Sequence, residues 1–557
     1  MSFHALTTRA RYLVLIAAFA LVAMLPMYFC GVTGGNDQAQ HYQFAWTVYE
    51  SLKSGEIYPS LAGGTNHGFG DVGLRFYPPL TYYILAAAYG ALGDWYYATM
   101  LAFTLVFFAG GVGIYLWASE ELDRETSLIA AAIYTFAPYH LNLIYTNGLM
   151  AEFFATAILP FCFLYLTRIC RGGRWLDVVA FAVAFALLVL THLPLTIIGA
   201  IAMAVYALVL IKKETWLAAI GKCFSAAALA AAMTAFYWTR MLPELDWVKH
   251  SSQKYFETTW SYAANYLLIP SHFTRFGEDA LNLWLADLML FATLLIAIPS
   301  MVWLIVNKTS ITRYVMAVMI VAAFSVFMTT PLSSVIWDNF AGLQKVQFPW
   351  RWLSIVTAFT AVFAAVGIKK AVDILRTNNS YAYAIGFGAV LVVFVFMAAF
   401  IMKGSTYTPH AALNQQLASI PDSNGCECWW PVWAGSSAFG QTERINVASR
   451  TAAVKEWAVK HKTFEIGPGA PSSATIAVFY YPHWHASVNG GEIQVTKTDD
   501  GRISLPVPAE ASEVDLVFRE PAHVKTANTL SILAWAVVTC LSAALLFINS
   551  PRSALPL

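Results

Sequence analysis

Asn36-Asp37-Gln38-Ala39-Gln40-His41 is a polar break between two patterned segments, and the reading of its flanks decides the fold. Upstream, Tyr12 to Val32 is an almost unbroken apolar run, long enough as a helix to cross ~30 Å of hydrocarbon. It is too long for a signal-peptide core and lacks a small-residue cleavage pattern, so it reads as a retained span. Downstream, Phe44/Ala45, Val48/Tyr49 and Leu52 recur at the spacing of one helical face. The stretch therefore reads as a membrane helix, a polar turn with an isolated carboxylate, and an amphipathic helix in the interface plane running to Lys53.

Composition extends this reading to the whole chain. Of 557 residues, 58% are hydrophobic and only 12% charged, about half the charged fraction of a soluble protein. Several further apolar runs of roughly 20 residues define a polytopic α-helical membrane protein. The formal net charge is +1, which gives no reason to expect a nucleic-acid partner.

Twelve spans are expected, at 11–31, 98–118, 127–143, 150–169, 176–192, 194–211, 217–237, 282–306, 313–330, 350–368, 382–402 and 528–548. The basic loops Arg9/Arg11, Arg124, Arg168/Arg171/Arg174, Lys212/Lys213, Lys308/Arg313 and Lys369/Lys370/Arg376 then fall on one side, the cytoplasmic one. Pro78-Pro79-Leu80 to Leu92 is apolar but short for a crossing, and counting it would put the later basic loops outside. It is read as an interfacial or re-entrant helix on the outer face. Both termini are then inside.

The expected division is a transmembrane domain at 1–402 with outer loops 32–97 and 238–281, an extracytoplasmic β-rich domain at 403–526, and a final span and cytoplasmic tail at 527–557. Alternating runs at Ala474–Tyr481 and Glu513–Phe518, with turns at Asn489-Gly490-Gly491 and Asp499-Asp500-Gly501, point to a small β-sandwich or jelly roll. Five cysteines lie in or beside spans. Cys426 and Cys428 lie in the outer domain, where a bridge across one residue is disfavoured and two thiols make a poor zinc site; no role is assigned to them. The spans hold few ionisable residues, mainly Asp287 and His192, which weakens a flippase or transporter reading because such proteins bury charged relays.

A carboxylate after the first span, a helical outer loop, a long loop after the seventh span and a late outer domain together resemble the GT-C glycosyltransferases. More closely, the chain is similar to their bacterial YfhO-like branch of membrane proteins. The phrases that carry this are Asp37-Gln38-Ala39-Gln40-His41, Phe76-Tyr77-Pro78-Pro79-Leu80-Thr81-Tyr82-Tyr83, Ala137-Pro138-Tyr139-His140, Tyr145-Thr146-Asn147-Gly148-Leu149-Met150-Ala151-Glu152, Gln347-Phe348-Pro349-Trp350-Arg351-Trp352, and Tyr480-Tyr481-Pro482-His483-Trp484-His485-Ala486-Ser487-Val488-Asn489-Gly490. Relatives often carry Arg where Asn147 stands. Some bear a pterin-synthase-related label, but this sequence lacks a His cluster for that zinc chemistry.

The resemblance implies transfer of a sugar from a polyprenyl-phosphate donor to a glycan, lipid or protein acceptor at the outer face of a bacterial inner membrane, with inversion. A hydroxyl is a weak nucleophile, so a positioned carboxylate must take its proton, and the departing phosphate needs cationic stabilisation. Asp37 is the candidate base; as plain structure it is a helix N-cap. His41, at i+4, would orient Asp37 or touch phosphate, or is an interfacial histidine satisfied by water. Glu152 matches the position of a second acidic site, an accessory acid for acceptor binding or a metal, or is a first-turn acid favoured by the helix dipole. Arg351 would clamp phosphate between aromatic residues, or anchor at the interface; Arg240, Lys345 and His140 are further binding candidates. No cofactor or metal is expected, and a divalent ion is left open. Gly63–Gly70 is a plain turn or a mobile loop beside the acceptor site, and Trp429, Trp430, Trp484 and His485 are either core or a sugar platform. A non-catalytic glycan-binding assembly protein is the remaining alternative.

Overall fold

The computed structural model describes residues 3–35, 37–251, 260–274, 283–307, 311–378 and 381–549. Asn36, Lys308 and the tail 550–557 lie outside the described residues, as do parts of the expected loop 238–281.

Every expected span carries a helix. The helices of the N-terminal half are α1 (Phe3–Cys30), α2 (Gln38–Lys53), α3 (Leu80–Leu92), α4 (Trp95–Ala118), α5 (Arg124–Thr135), α6 (Pro138–Tyr145), α7 (Met150–Cys170), α8 (Trp175–Val189), α9 (Leu193–Leu210), α10 (Trp216–Met233) and α11 (Ala235–Glu244). Then come α12 (Leu283–Asn307), α13 (Arg313–Met328), α14 (Ser334–Asn339), α15 (Ala341–Gln344), α16 (Leu353–Asn378), α17 (Tyr381–Gly404), α18 (His410–Ala418) and α19 (Ala522–Asn549). Among the described residues, nine helical stretches are long and apolar enough on their own to cross a membrane. The other three expected spans hold the shorter α8, the end of α17, and α13, which bends by 92° into the stretch containing α14.

Local chemistry sets the boundaries. Asp94 accepts from the Tyr96 and Tyr97 amides to start α4, and Asp123 caps α5 in the same way. The expected span 127–143 is broken between α5 and α6 because Pro138 opens a new helix and cannot continue the old one. Helix α3 has 13 residues, about 20 Å at 1.5 Å per residue. It ends at Gly93, whose φ of +69° suits glycine. Phe224 and Leu208 stand bare on the bundle's perimeter, 74% and 80% exposed, as lipid-facing side chains do.

Helix α2 does not lie on a surface. Its buried residues include Gln38, His41 and Gln43 as well as Phe44, Ala45 and Val48, because α3 packs on one side and α18 covers another.

The strands are β1 (Val32–Thr33), β2 (Tyr407–Thr408), β3 (Ile445–Val447), β4 (Ala452–Trp457), β5 (His461–Ile466), β6 (Ser472–Phe479), β7 (Trp484–Val488), β8 (Gly491–Ile493), β9 (Thr496–Lys497), β10 (Arg502–Val507) and β11 (Ser512–Phe518). β1 and β2 pair antiparallel, joining the end of α1 to the chain just after α17. The others form two antiparallel sheets, ordered β3-β6-β10-β9 and β4-β5-β11-β7-β8. Period-two alternation turns Val514, Leu516 and Phe518 inward with Phe464, Ile476, Ile503 and Leu505, giving a sandwich core.

A buried ion network fastens this sandwich to the helices. Arg75, fully buried, donates to Glu244 at 2.6 and 2.7 Å and to Glu520 at 2.7 and 3.1 Å. Tyr481 donates to Glu244 at 2.6 Å, and His483 Nε2 lies 2.8 Å from it. The glycine-rich loop is wedged at the same junction. Asn66, fully buried, accepts from the Gly425 amide at 2.7 Å and the Trp430 indole at 3.1 Å, and a Cβ on Gly63 would sit 2.7 Å from Val459.

Candidate functional site

A cavity of about 560 Å³ opens where the start of α2, the chain before α16, and the loop after α18 meet. Asp37 and His41 line it from α2, Tyr77 from the Pro-Pro segment, Gln347 and Arg351 from the turn ahead of α16, and residues 416–429 close it.

Asp37 occupies the N-cap position of α2, yet its side chain makes no capping hydrogen bond. The carboxylate is accessible from the cavity, but the surrounding walls remove enough water to raise it above its ordinary value, against the pull of Arg351. His41 is buried, with Nδ1 2.8 Å from the Tyr82 hydroxyl and Nε2 lacking a hydrogen-bond partner. Burial pushes it down to about 3, so it is neutral and acts only through hydrogen bonds.

Arg351 is held from three sides. Nη1 donates to the Val346 carbonyl at 2.6 Å, Nε lies 3.3 Å from Glu152 Oε2, and the guanidinium sits 4.7 Å from the Phe348 ring centre. Glu152 is itself buried, its Oε1 accepting from Tyr139 at 2.8 Å and Ser354 at 2.9 Å. Of the two acids expected from the sequence, Glu152 thus pairs with this cation and Asp37 feels only its charge. Asp37 faces the cavity, whereas Glu152 stands behind Arg351.

The remaining candidates are placed differently. Lys345 is exposed at the end of α15, and it acts with Arg351 on the cavity residue His250, which burial first and these cations next push down to about 4. His140 is buried away from this cavity, with its ring nitrogens 2.9 Å from the Tyr134 carbonyl and 3.0 Å from Thr156. Arg240 belongs to the interdomain network, 4.5 Å from the Tyr58 ring centre and 3.1 Å from Asn528. Trp429 lines the cavity and stacks on His250 at 4.7 Å and 3°, whereas Trp484 packs in the sandwich against Phe518.

Cys426 and Cys428 correct the expectation for that pair, because they form a disulfide. The turn at Glu427–Trp429 folds the chain back and sets the Cα atoms 5.2 Å apart, within ordinary bridging distance. No local pattern marks residues 416–429 as a wall of the cavity. Gln347, in the Gln347–Trp352 motif, adopts a φ of +68°, uncommon for a side-chain-bearing residue.

These features define a polytopic helical membrane protein with a C-terminal β-sandwich and a carboxylate–guanidinium cavity at their junction. A family model described as "6-pyruvoyl-tetrahydropterin synthase related domain; membrane protein" matches residues 74–408, more than half of the chain, and the protein belongs to that family. Among the described residues no three His, Cys, Asp or Glu side chains group so as to hold a metal ion.

A protein of Lactococcus lactis subsp. cremoris (strain MG1363), named only as uncharacterized, is 27% identical over 140 residues, or 24% of this chain and 23% of that one. Archaeal oligosaccharyltransferase AglB from Archaeoglobus fulgidus, in complex with an inhibitory peptide and a dolichol-phosphate, is similar with a TM-score of 0.47 at 14% identity, covering 76% of this chain and 59% of that one. ArnT from Cupriavidus metallidurans bound to undecaprenyl phosphate has a TM-score of 0.37 at 14% identity, covering 73% of each chain. Arabinofuranosyltransferase AftD from mycobacteria has 0.45 at 15%, covering 74% of this chain and 28% of that one.

Proposed function

We propose that the cavity is the active site of a membrane glycosyltransferase that moves a sugar from a polyprenyl-phosphate donor to an acceptor hydroxyl on the outer face of a bacterial inner membrane. The observation that carries this reading is the free carboxylate of Asp37, uncapped and cavity-facing, within electrostatic reach of Arg351. Asp37 takes the acceptor proton as the new glycosidic bond forms. The bond from the anomeric carbon to phosphate oxygen breaks on the opposite face, so configuration inverts. Arg351 stabilises charge on the departing lipid phosphate, and Lys345 acts at the cavity's margin.

Glu152 is here the counter-ion that holds Arg351, in place of an accessory acid at the reacting atoms. Its contacts to α6 through Tyr139 and to α16 through Ser354 suit that task. The disulfide in the cavity wall supports an outward-facing site, since disulfides persist where thiols are not kept reduced.

The test is complementation of a deletion strain by wild type and Asp37→Asn, reading envelope glycans by mass spectrometry with membrane levels matched. Loss of a general base lowers transfer by about a hundredfold or more, so the glycan lost in the deletion returns only with wild type. Full restoration by Asp37→Asn would remove Asp37 as the base.

A further inference from the structure

We infer that the Cys426–Cys428 disulfide is a thiol–disulfide exchange site in the cavity wall, whose oxidation state sets the shape of the space that Asp37 faces. Both residues line the cavity and are half-buried, so a small dithiol can reach them. By contrast, Cys162 and Cys170 are buried.

The turn they close is braced on both sides of the cavity. On one side, the Cys426 amide donates to Gln40 Oε1 at 3.0 Å, and Gln40 lies one helical turn from Asp37 on α2. The preceding Gly425 fits so closely that a Cβ there would sit 2.7 Å from Gln43 Nε2. On the other side, Glu427 accepts from Lys249 at 2.6 Å, and the neighbouring His250 stacks on Trp429. One three-residue turn therefore connects the helix that carries Asp37 to the aromatic face opposite.

The exchange balances with a dithiol as reductant. Its thiolate attacks one cysteine sulfur, breaking the Cys426–Cys428 bond and giving a mixed disulfide. The second thiol of the reagent then displaces the protein sulfur. The dithiol ends as a disulfide, and Cys426 and Cys428 end as two thiols carrying its two protons. Without the bond Trp429 is tied to the Gln40 side only by its amide's hydrogen bond to the Cys426 carbonyl at 3.0 Å and by ring packing on Tyr77 and His250, and the stacked wall loosens. This inference stands on the cavity alone and holds whether or not the ligand is a sugar donor.

The experiment uses the full chain in detergent. Free thiols are blocked with N-ethylmaleimide, the protein is reduced with dithiothreitol without denaturant, and newly exposed thiols are alkylated with iodoacetamide for peptide mass spectrometry. Tryptophan emission is recorded before reduction, after it, and after reoxidation with oxidised glutathione. Both cysteines should be labelled only after reduction. Emission should shift to the red, return on reoxidation, and stay constant in Trp429→Phe. The variant Cys426→Ser/Cys428→Ser should show the reduced emission from the outset and ignore dithiothreitol. Labelling that requires denaturant overturns the exchange site, and labelling with unchanged emission overturns its hold on the wall. Neither result bears on the Asp37→Asn complementation.

Discussion

Glu244→Gln tests how firmly the sandwich is fastened to the helices. Glu244 is almost fully buried and receives Arg75, Tyr481 and His483. Burial alone would raise its carboxyl. The bonds from His483 and Arg75, with the charge of Arg75 and the Tyr481 hydroxyl, overcome this and hold it down at about 2, against an ordinary 4.5. At 1.36 kcal/mol per unit, the ionised carboxylate contributes about 3 kcal/mol to keeping the junction closed. This is the lower end of the roughly 3–5 kcal/mol expected when a buried charge loses its partner, and the lower end is appropriate because Glu520 still pairs with Arg75.

Three kcal/mol is somewhat over a hundredfold in the population of the open form. When opening is fast relative to cleavage, proteolysis follows that population. Limited proteolysis of the sandwich at pH 7 should therefore be about a hundredfold faster in Glu244→Gln than in wild type. A depressed carboxyl contributes its stability above the unfolded value and loses it as pH falls through the folded one. The difference between the two proteins should thus be constant near neutrality and shrink between about pH 4.5 and 2. A variant cleaved within about threefold of wild type at pH 7 would refute the reasoning, because the network would then be ornamental.

Three other outcomes are expected. Because burial raises the Asp37 carboxyl, transfer should fall as pH drops through a value above the ordinary 3.8 of aspartate; a kcat/KM profile whose acid limb lies at the ordinary value contradicts the assignment. Glu152→Gln keeps an acceptor for Tyr139 and Ser354 but removes the charge beside Arg351, so kcat/KM for a lipid-phosphate donor should fall by about tenfold, and an unchanged kcat/KM separates Glu152 from the hold on Arg351. Asp71 is pushed up to about 6 by burial, so its ionisation destabilises the fold as pH rises through that value; Asp71→Asn, which keeps an acceptor for the Gly73 amide, should raise the melting temperature at pH 8 and leave it nearly unchanged at pH 4.

The helices were legible because lipid demands long apolar runs with internally satisfied backbones, and that demand is written residue by residue. Strands β6 and β11 were legible for a similar reason, since one buried sheet face imposes a period of two. The burial of α2 was not legible. Gln43 is covered by Gly425 in the loop after α18, more than 350 positions away, and His41 by Tyr77 and Tyr82, and no local pattern encodes such a lid. The same distance hid the cavity, whose walls come from segments around residues 37, 77, 250, 347 and 425. Arg240 and Arg351 look alike in sequence, each a cation near an outer helix end. Only tertiary contacts assign one to the interdomain network and the other to the cavity.

Asp37 shows where local and global readings part. An aspartate just before a helix is ordinarily a cap, and a used cap contributes about 1 kcal/mol. Here the side chain leaves the first-turn amides alone and faces a cavity that raises its carboxyl. Both choices act against stability. The helix forgoes its cap, and at neutral pH the carboxylate sits where ionisation is disfavoured. Arg351 offsets part of that, but Arg351 is also the partner of Glu152. A residue that breaks a local rule without a compensating gain in stability is what a functional or strained site is expected to show, and this is the ground on which Asp37 is proposed as the base. On the proposed reading this arrangement serves proton abstraction, because a carboxylate occupied by helix amides would be a weaker base and would not reach an acceptor.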